Sequence, residues 1–301
     1  MSLDLSPSPP TNLVARQQLL GFICVLLAGA GFGFLGIFGR LAFQSGLSVG
    51  ELLSFRFILA SLLMGIGLLL FKPQLLRISK NQFFVCAGLG ILGYAVFSTF
   101  YFKAIEGISV PLAALLLFTF PVLVNLGAHF IFKERLSIRQ WISLSIACVG
   151  LGILLWGPLI INSAIAVMFA LAAALSYAVY VLVSGRYQKE ISPITSSFYV
   201  IVFATIALCI FHRPDFGKIS TFTAEQFLII SGIALISTIA PLALFLTGIQ
   251  KLSSSKASII AMIEPVVAAV AAALLLNEQL SGLQLVGAIL VLLALVLNAL
   301  K

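Results

Sequence analysis

Residues 121–140 read PVLVNLGAHFIFKERLSIRQ, and residues 265–284 read PVVAAVAAALLLNEQLSGLQ. Pro121 matches Pro265, Val122 matches Val266, Glu134 matches Glu278 and Leu136 matches Leu280, while Ser137 and Gln140 match Ser281 and Gln284. Every pair lies 144 residues apart. Upstream, Ser109 and Ala113 keep the same offset to Ser253 and Ala257, and Gly39-Arg40 pairs with Gly185-Arg186 at 146. Agreement at one constant offset marks an internal duplication.

The repeated unit is built for lipid. Of 301 residues, 61% are hydrophobic and only 9% are charged, where soluble domains carry about 25% charged residues. The mean hydropathy is +1.20. Too little polar surface exists to cover a water-soluble particle of this size. A spanning helix needs about 20 apolar residues. Ten segments meet that need: 17–39, 48–71, 82–104, 108–132, 137–157, 163–185, 194–211, 225–249, 254–276 and 281–300. The expected architecture is an all-α membrane protein of ten transmembrane helices. It divides into a polar, Pro-containing tail over 1–16 and two five-helix repeats, 17–157 and 158–301. The run from Gln17 to Phe38 has spanning length, so it reads as a first membrane helix, not a short signal-peptide core.

Five is odd, so the second repeat is predicted to enter the membrane in the opposite direction to the first. The loop charges agree. The stretch around Glu134 carries Lys133, Arg135 and Arg139, whereas the matching positions are Asn277, Gln279 and Leu283. With the N-terminus inside, 12 Lys and Arg residues fall on the cytoplasmic side and 4 outside, with Arg56 left within a helix. Both termini are therefore expected in the cytoplasm. The formal net charge of +8 reflects scarce acids and basic loops, not a nucleic-acid surface. Cys24, Cys86, Cys148 and Cys209 sit in apolar segments without a CxxC pair and read as small buried hydrophobes.

These residues carry a family resemblance. Arg56-Phe57 in the second helix, Tyr101-Phe102-Lys103-Ala104 ending the third, and Pro121 with Glu134-Arg135-Leu136 belong to it. So do Glu264-Pro265 and Asn277-Glu278-Gln279-Leu280 in the second half. The chain resembles the EamA-type transporters of the drug/metabolite transporter superfamily over roughly 20–300. The resemblance implies inverted five-helix repeats around a central cavity. It also implies inner-membrane export or facilitation of amino acids and related metabolites. The first four helices of each half would form the cavity, with the fifth and tenth as scaffold.

Candidate substrate-binding residues are the polar and aromatic groups inside the spans. A charge at the centre of an inserted helix costs about 2.5–3.5 kcal/mol, so Arg56 is expected to face the bundle interior and find a partner. Glu51, just over one turn away, and Glu264 are the candidates. Arg56 and Glu264 read either as contacts to a charged or zwitterionic substrate or as a structural ion pair. Tyr94, Tyr177 and Tyr180 could line a cavity or pack with a local hydrogen bond. Asn125 and His129 share a helix face at an i, i+4 spacing and read as ligand contacts or as glue between helices. Pro121 and Pro265 are expected at the cavity rim, as hinges or static kinks. Glu134 and Glu278 read as caps for the helices that follow. The strings Gly31-Phe32-Gly33-Phe34-Leu35-Gly36 and Gly88-Leu89-Gly90-Ile91-Leu92-Gly93 match a dinucleotide fingerprint in spacing. They lie inside spanning helices, so they read as close packing or hinges.

No HExxH, GxSxG or P-loop occurs, and two histidines supply little for a metal or a triad. The expected protein is not an enzyme and has no catalytic residues, metal ligands or cofactor. Its expected partners are a small-molecule substrate and membrane lipid, with no nucleic acid, as a monomer or weak homodimer. Two alternatives stay open: a membrane-embedded lipid-modifying enzyme, and a structural or signalling membrane subunit.

Overall fold

The computed structural model describes residues 11–156, 161–275 and 279–299. Among these the chain forms nine helices long and apolar enough to cross a membrane, together with one shorter apolar helix. In chain order they are α1 (Ala15–Gln44), α2 (Val49–Phe71), α3 (Lys80–Gly107), α4 (Val110–Phe130), the shorter α5 (Ile138–Leu154), α6 (Ala164–Tyr187), α7 (Pro193–His212), α8 (Ala224–Lys251), α9 (Ser254–Leu275) and α10 (Gly282–Ala299). Each matches a segment expected from hydropathy to within a few residues. The exception is α1, which turns at Phe34 and then resumes as far as Gln44.

The duplication is written into the helix boundaries. A helix start leaves backbone N–H groups without partners, and Ser or Thr at the N-cap accepts from one of them. The N-cap positions pair as Ser48 with Ser192, Ser79 with Thr223 and Ser109 with Ser253. Ser48, Ser79 and Thr223 close capping boxes and Ser253 accepts from the Lys256 N–H, whereas Ser192 and Ser109 make no side-chain cap bond. Ser137 and Ser281 close the same kind of box with Gln140 and Gln284. Each pair is again 144 residues apart. These serines correct the capping role expected of Glu134. The Ser137 hydroxyl already accepts from the Gln140 N–H, and Glu134 lies exposed, three residues before the cap. Glu278 lies outside the described residues.

The irregularities repeat as well. α3 contains a π-helical turn over Leu89–Ala95 and α8 one over Leu235–Ile239, so the turns end 144 residues apart. In α8 the turn leads into Pro241, which has no N–H to give to a regular ladder. α4 breaks at Phe118 and Thr119, and α9 breaks at Ala261 and Met262. Pro121 and Pro265 stand just after these breaks, in the first turn of the resumed helix.

Packing follows the same rule. α1 packs on α8 and α9, while α6 packs on α3 and α4. α2 packs on α7 and α8, while α7 packs on α2 and α3. α5 and α10 pack on each other. At that crossing a Cβ on Gly287 would lie 2.3 Å from the Leu154 nitrogen and 2.6 Å from the Gly150 oxygen, so the backbones touch where only glycine fits. The two glycine strings also serve close approach. A Cβ on Gly33 would meet the Glu264 carbonyl oxygen at 2.9 Å, and one on Gly90 the Val200 oxygen at 2.6 Å. Large apolar side chains such as Leu70, Phe71, Leu228 and Leu274 point outward, which suits lipid and not water.

Hydrogen bonds tie the helix ends into two groups. One joins Gln17 to Lys251, Thr195 to Leu75, Gln250 to Gln188 and Asn298 to Lys256. The other joins Ser45 to Gln226, Glu51 to Lys218 and Gly107 to Asn162. We refer to these as the N-terminal end and the far end of the bundle.

Candidate substrate cavity

Between the two halves lies a small cavity. α2 contributes Arg56, α3 contributes Tyr94, Phe97, Ser98 and Tyr101, α6 contributes Tyr177, and α9 contributes Glu264. Phe32 and Leu35 flank the turn of α1, while Phe118 lies in the break of α4 and Phe120 directly after it. No residue of α5 or α10 reaches it. Four of the six elements lining it depart from regular helix, at the α1 turn, the π turn of α3 and the breaks of α4 and α9, while α2 and α6 are regular. Broken backbone at membrane depth is tolerated where protein or a watery space surrounds it. The cavity holds about 20 Å³ of free space, room for about one water.

Arg56 is only 2% exposed. Its Nε and Nη1 are buried and have no hydrogen-bond partner. Its guanidinium carbon lies 4.7 Å from the centroid of the Phe57 ring, a cation–π contact that offsets part of the cost of burial. Glu51 is not its partner. Glu51 turns to the far end, where Ser48 and Lys218 donate to its carboxylate. Glu264 lines the same cavity as Arg56, from the wall formed by the second half.

Tyr177 is the centre of an aromatic cluster. Its ring stacks on Phe97 at 4.7 Å and on Tyr180 at 5.9 Å, and meets the edge of Phe120 at 4.6 Å. Tyr94 joins Phe57 to Tyr180 through edge contacts at 5.5 and 5.6 Å. Aromatic pairs at such distances add about 0.5–1.5 kcal/mol each beyond area burial, so this wall is stiff.

The expected site residues therefore separate. Arg56, Tyr94, Tyr177 and Glu264 come together around one space. Tyr180 lies behind Tyr177, fully buried. Pro121 and Pro265 sit immediately behind the lining residues Phe120 and Glu264. Asn125 does not reach the cavity; its Nδ2 donates to the Pro121 carbonyl at 2.7 Å and to Ser258 Oγ at 3.3 Å, joining α4 to α9. His129 is exposed near the end of α4, with Nδ1 3.2 Å from the Glu134 carbonyl. Phe97, Phe118 and Phe120 line the cavity without having been singled out in the sequence. One signal could have found Phe120: it precedes Pro121 as Glu264 precedes Pro265, at the same 144-residue offset.

Known proteins place this architecture. The model of the EamA-like transporter family matches residues 19–156 and again residues 164–300. An uncharacterized transporter of Archaeoglobus fulgidus is 29% identical over 206 residues, which is 67% of this chain and 73% of that protein. The uncharacterized transporter YcbK of Bacillus subtilis is 23% identical over 281 residues, 90% of each chain. A solved crystal structure has the same fold, with a TM-score of 0.75 over 94% of this chain and 96% of its own, at 17% identity.

Proposed function

This chain belongs to the EamA-like transporter family, and we propose that it is a secondary transporter or facilitator that exports small metabolites such as amino acids by alternating access. It is a multi-pass membrane transporter and not an enzyme. In our reading, residues 17–157 and 158–301 are two five-helix halves of opposite orientation, giving ten membrane crossings with α5 as the fifth. The bundle lies in the inner membrane with both termini in the cytoplasm.

Two features support this reading. Adding five to each helix number converts the principal packing pairs into one another, as a two-fold relation between inverted halves requires. Arg56 and Glu264 also line one cavity from different halves. This second observation carries the functional claim. A buried guanidinium with unpaired donors is costly, and a substrate carboxylate would give those donors a partner. Glu264 would take the cationic pole of a zwitterion, and the Tyr177 cluster its apolar part.

The free space of about 20 Å³ admits no metabolite, because small-molecule pockets span roughly 300–1,000 Å³. Binding therefore requires the halves to part, with the breaks in α4 and α9 and the π turns of α3 and α8 as the yielding points. The test is a thermal-shift screen of the purified protein against amino acids, nucleosides and common metabolites. A stabilising amino acid is expected, with the shift lost in Arg56→Ala and reduced in Glu264→Gln. Stabilisation by no small metabolite, or a shift indifferent to both substitutions, would overturn the assignment.

A further inference from the structure

The 144-residue offset joins more than helix caps. It places the short 3-10 helix Pro73–Leu76, between α2 and α3, on residues 217–220 of the 3-10 helix Phe216–Thr221, between α7 and α8. Each of these loop helices is fastened to the opening turns of a helix from the other half. At the N-terminal end, Thr195 Oγ1 donates to the Leu75 carbonyl at 2.8 Å and Tyr199 Oη to the Leu76 carbonyl at 2.6 Å. At the far end, Lys218 Nζ donates to Glu51 Oε1 at 2.6 Å, and Phe55 packs edge-on against Phe216 and Phe222. Glu51 corresponds to Thr195 and Phe55 to Tyr199 at the same offset. One joint has been built twice, with different chemistry in each copy.

The difference has a physical consequence. The N-terminal copy uses neutral hydroxyls and backbone carbonyls, so it responds little to salt. The far copy depends on two full charges, one of them on a side chain that is 54% exposed. Its carboxylate is held ready. The Ser48 N–H and hydroxyl donate to Glu51 Oε2 at 2.8 and 2.7 Å, so the ammonium meets an acceptor whose rotamer is already fixed. The same helix carries Arg56 a little over one turn further on, so any movement of the latch end of α2 is felt at the cavity.

We infer that the Glu51–Lys218 ion pair is the latch that holds the far end of the bundle closed, and that its inequality with the Thr195–Tyr199 joint sets which end opens at rest. This inference rests on the alternating-access reading. Closing a joint with an exposed charge pair biases the two states by a few-fold and not by orders of magnitude. Such a bias tunes the direction of opening without locking it.

The test uses the full-length protein in proteoliposomes, with Cys24, Cys86, Cys148 and Cys209 replaced and Ser98→Cys as a reporter in the cavity. A membrane-impermeant thiol reagent is applied to each face in turn. A separate Ser220→Cys variant, in the far loop, identifies the far face. Lys218→Ala is expected to raise far-face labelling of the reporter by about two- to fivefold, the range of an exposed ion pair. Lys218→Glu should raise it further, and Lys218→Arg should restore the slow rate. Added salt should speed labelling in the parent but not in Lys218→Ala. Tyr199→Phe should shift accessibility toward the N-terminal face. Far-face labelling left at the parent rate in both Lys218→Ala and Lys218→Glu would overturn the latch. Labelling depends on no substrate, so the two readings fail separately. Flux with unmoved labelling removes the latch alone, and latch-dependent labelling without flux of any metabolite removes the transport reading alone.

Discussion

Arg56 and Lys218 are both cations, yet their surroundings give them opposite behaviour. Arg56 lies in a nearly dry space with unpaired donors, so its charge stabilises neither the fold nor the resting cavity. Arg56→Leu is accordingly expected to melt at or above the wild-type temperature while losing ligand response, a pattern typical of residues kept for function. A melting temperature several degrees lower would show that the guanidinium is structural. Arg56→Ala should weaken a bound carboxylate by about tenfold to a hundredfold, the scale of a lost charge-assisted hydrogen bond. Lys218 lies outside the spans, and its hydrogen bond to Glu51, together with the charge of that carboxylate, raises the ammonium above its ordinary value. A raised cation contributes its stability in full below the ordinary lysine range of about 10.4 and loses it as the pH climbs through the higher folded value. The melting difference between wild type and Lys218→Ala should therefore be constant near neutrality and shrink in strong alkali. A difference that grows with pH would contradict that sign.

At the scale of elements, hydropathy makes the helices legible, whereas the cap expected at Glu134 falls on Ser137. Lipid demands about 20 apolar residues per crossing, and the N-cap serines and threonine stand at the boundaries with a constant offset. The interior was harder to read, because in helices that are apolar all round the sequence pattern does not mark the face turned toward a cavity. Tyr177 and Tyr180 are three residues apart on one helix, yet only Tyr177 lines the space. Nothing in the strings Leu89–Ala95 or Leu235–Ile239 announces a π turn, and only the one in α8 leads into a proline. The contact of α5 with α10 gives the sharpest prediction here. Because a Cβ on Gly287 would run into backbone atoms of Leu154 and Gly150, Gly287→Ala is expected to cost about 1–3 kcal/mol, read as a lower melting temperature. Gly152 has open space around it within the helix, so Gly152→Ala should leave the melt unchanged or slightly raised. Equal effects at the two positions would mean that the crossing is looser than described.

For the whole molecule, the duplication explains why a cavity exists at all. The two halves meet through related surfaces, and the space between them takes a charged residue from each, Arg56 from the first and Glu264 from the second. The halves are alike in their backbones and unlike in what they present. Phe120 occupies the place in the first half that Glu264 occupies in the second, and the two loop joints differ in charge. Under the proposed alternating access, the related packing of the halves would supply two states and their unlike side chains would make those states unequal. The most direct measurement is counterflow in proteoliposomes loaded with unlabelled amino acids, following uptake of labelled ones by the wild type and by Arg56→Ala. The account predicts saturable counterflow of at least one amino acid by the wild type, abolished or weakened at least about tenfold in the variant. Absence of counterflow for any amino acid or related metabolite, or counterflow unchanged by Arg56→Ala, would contradict it.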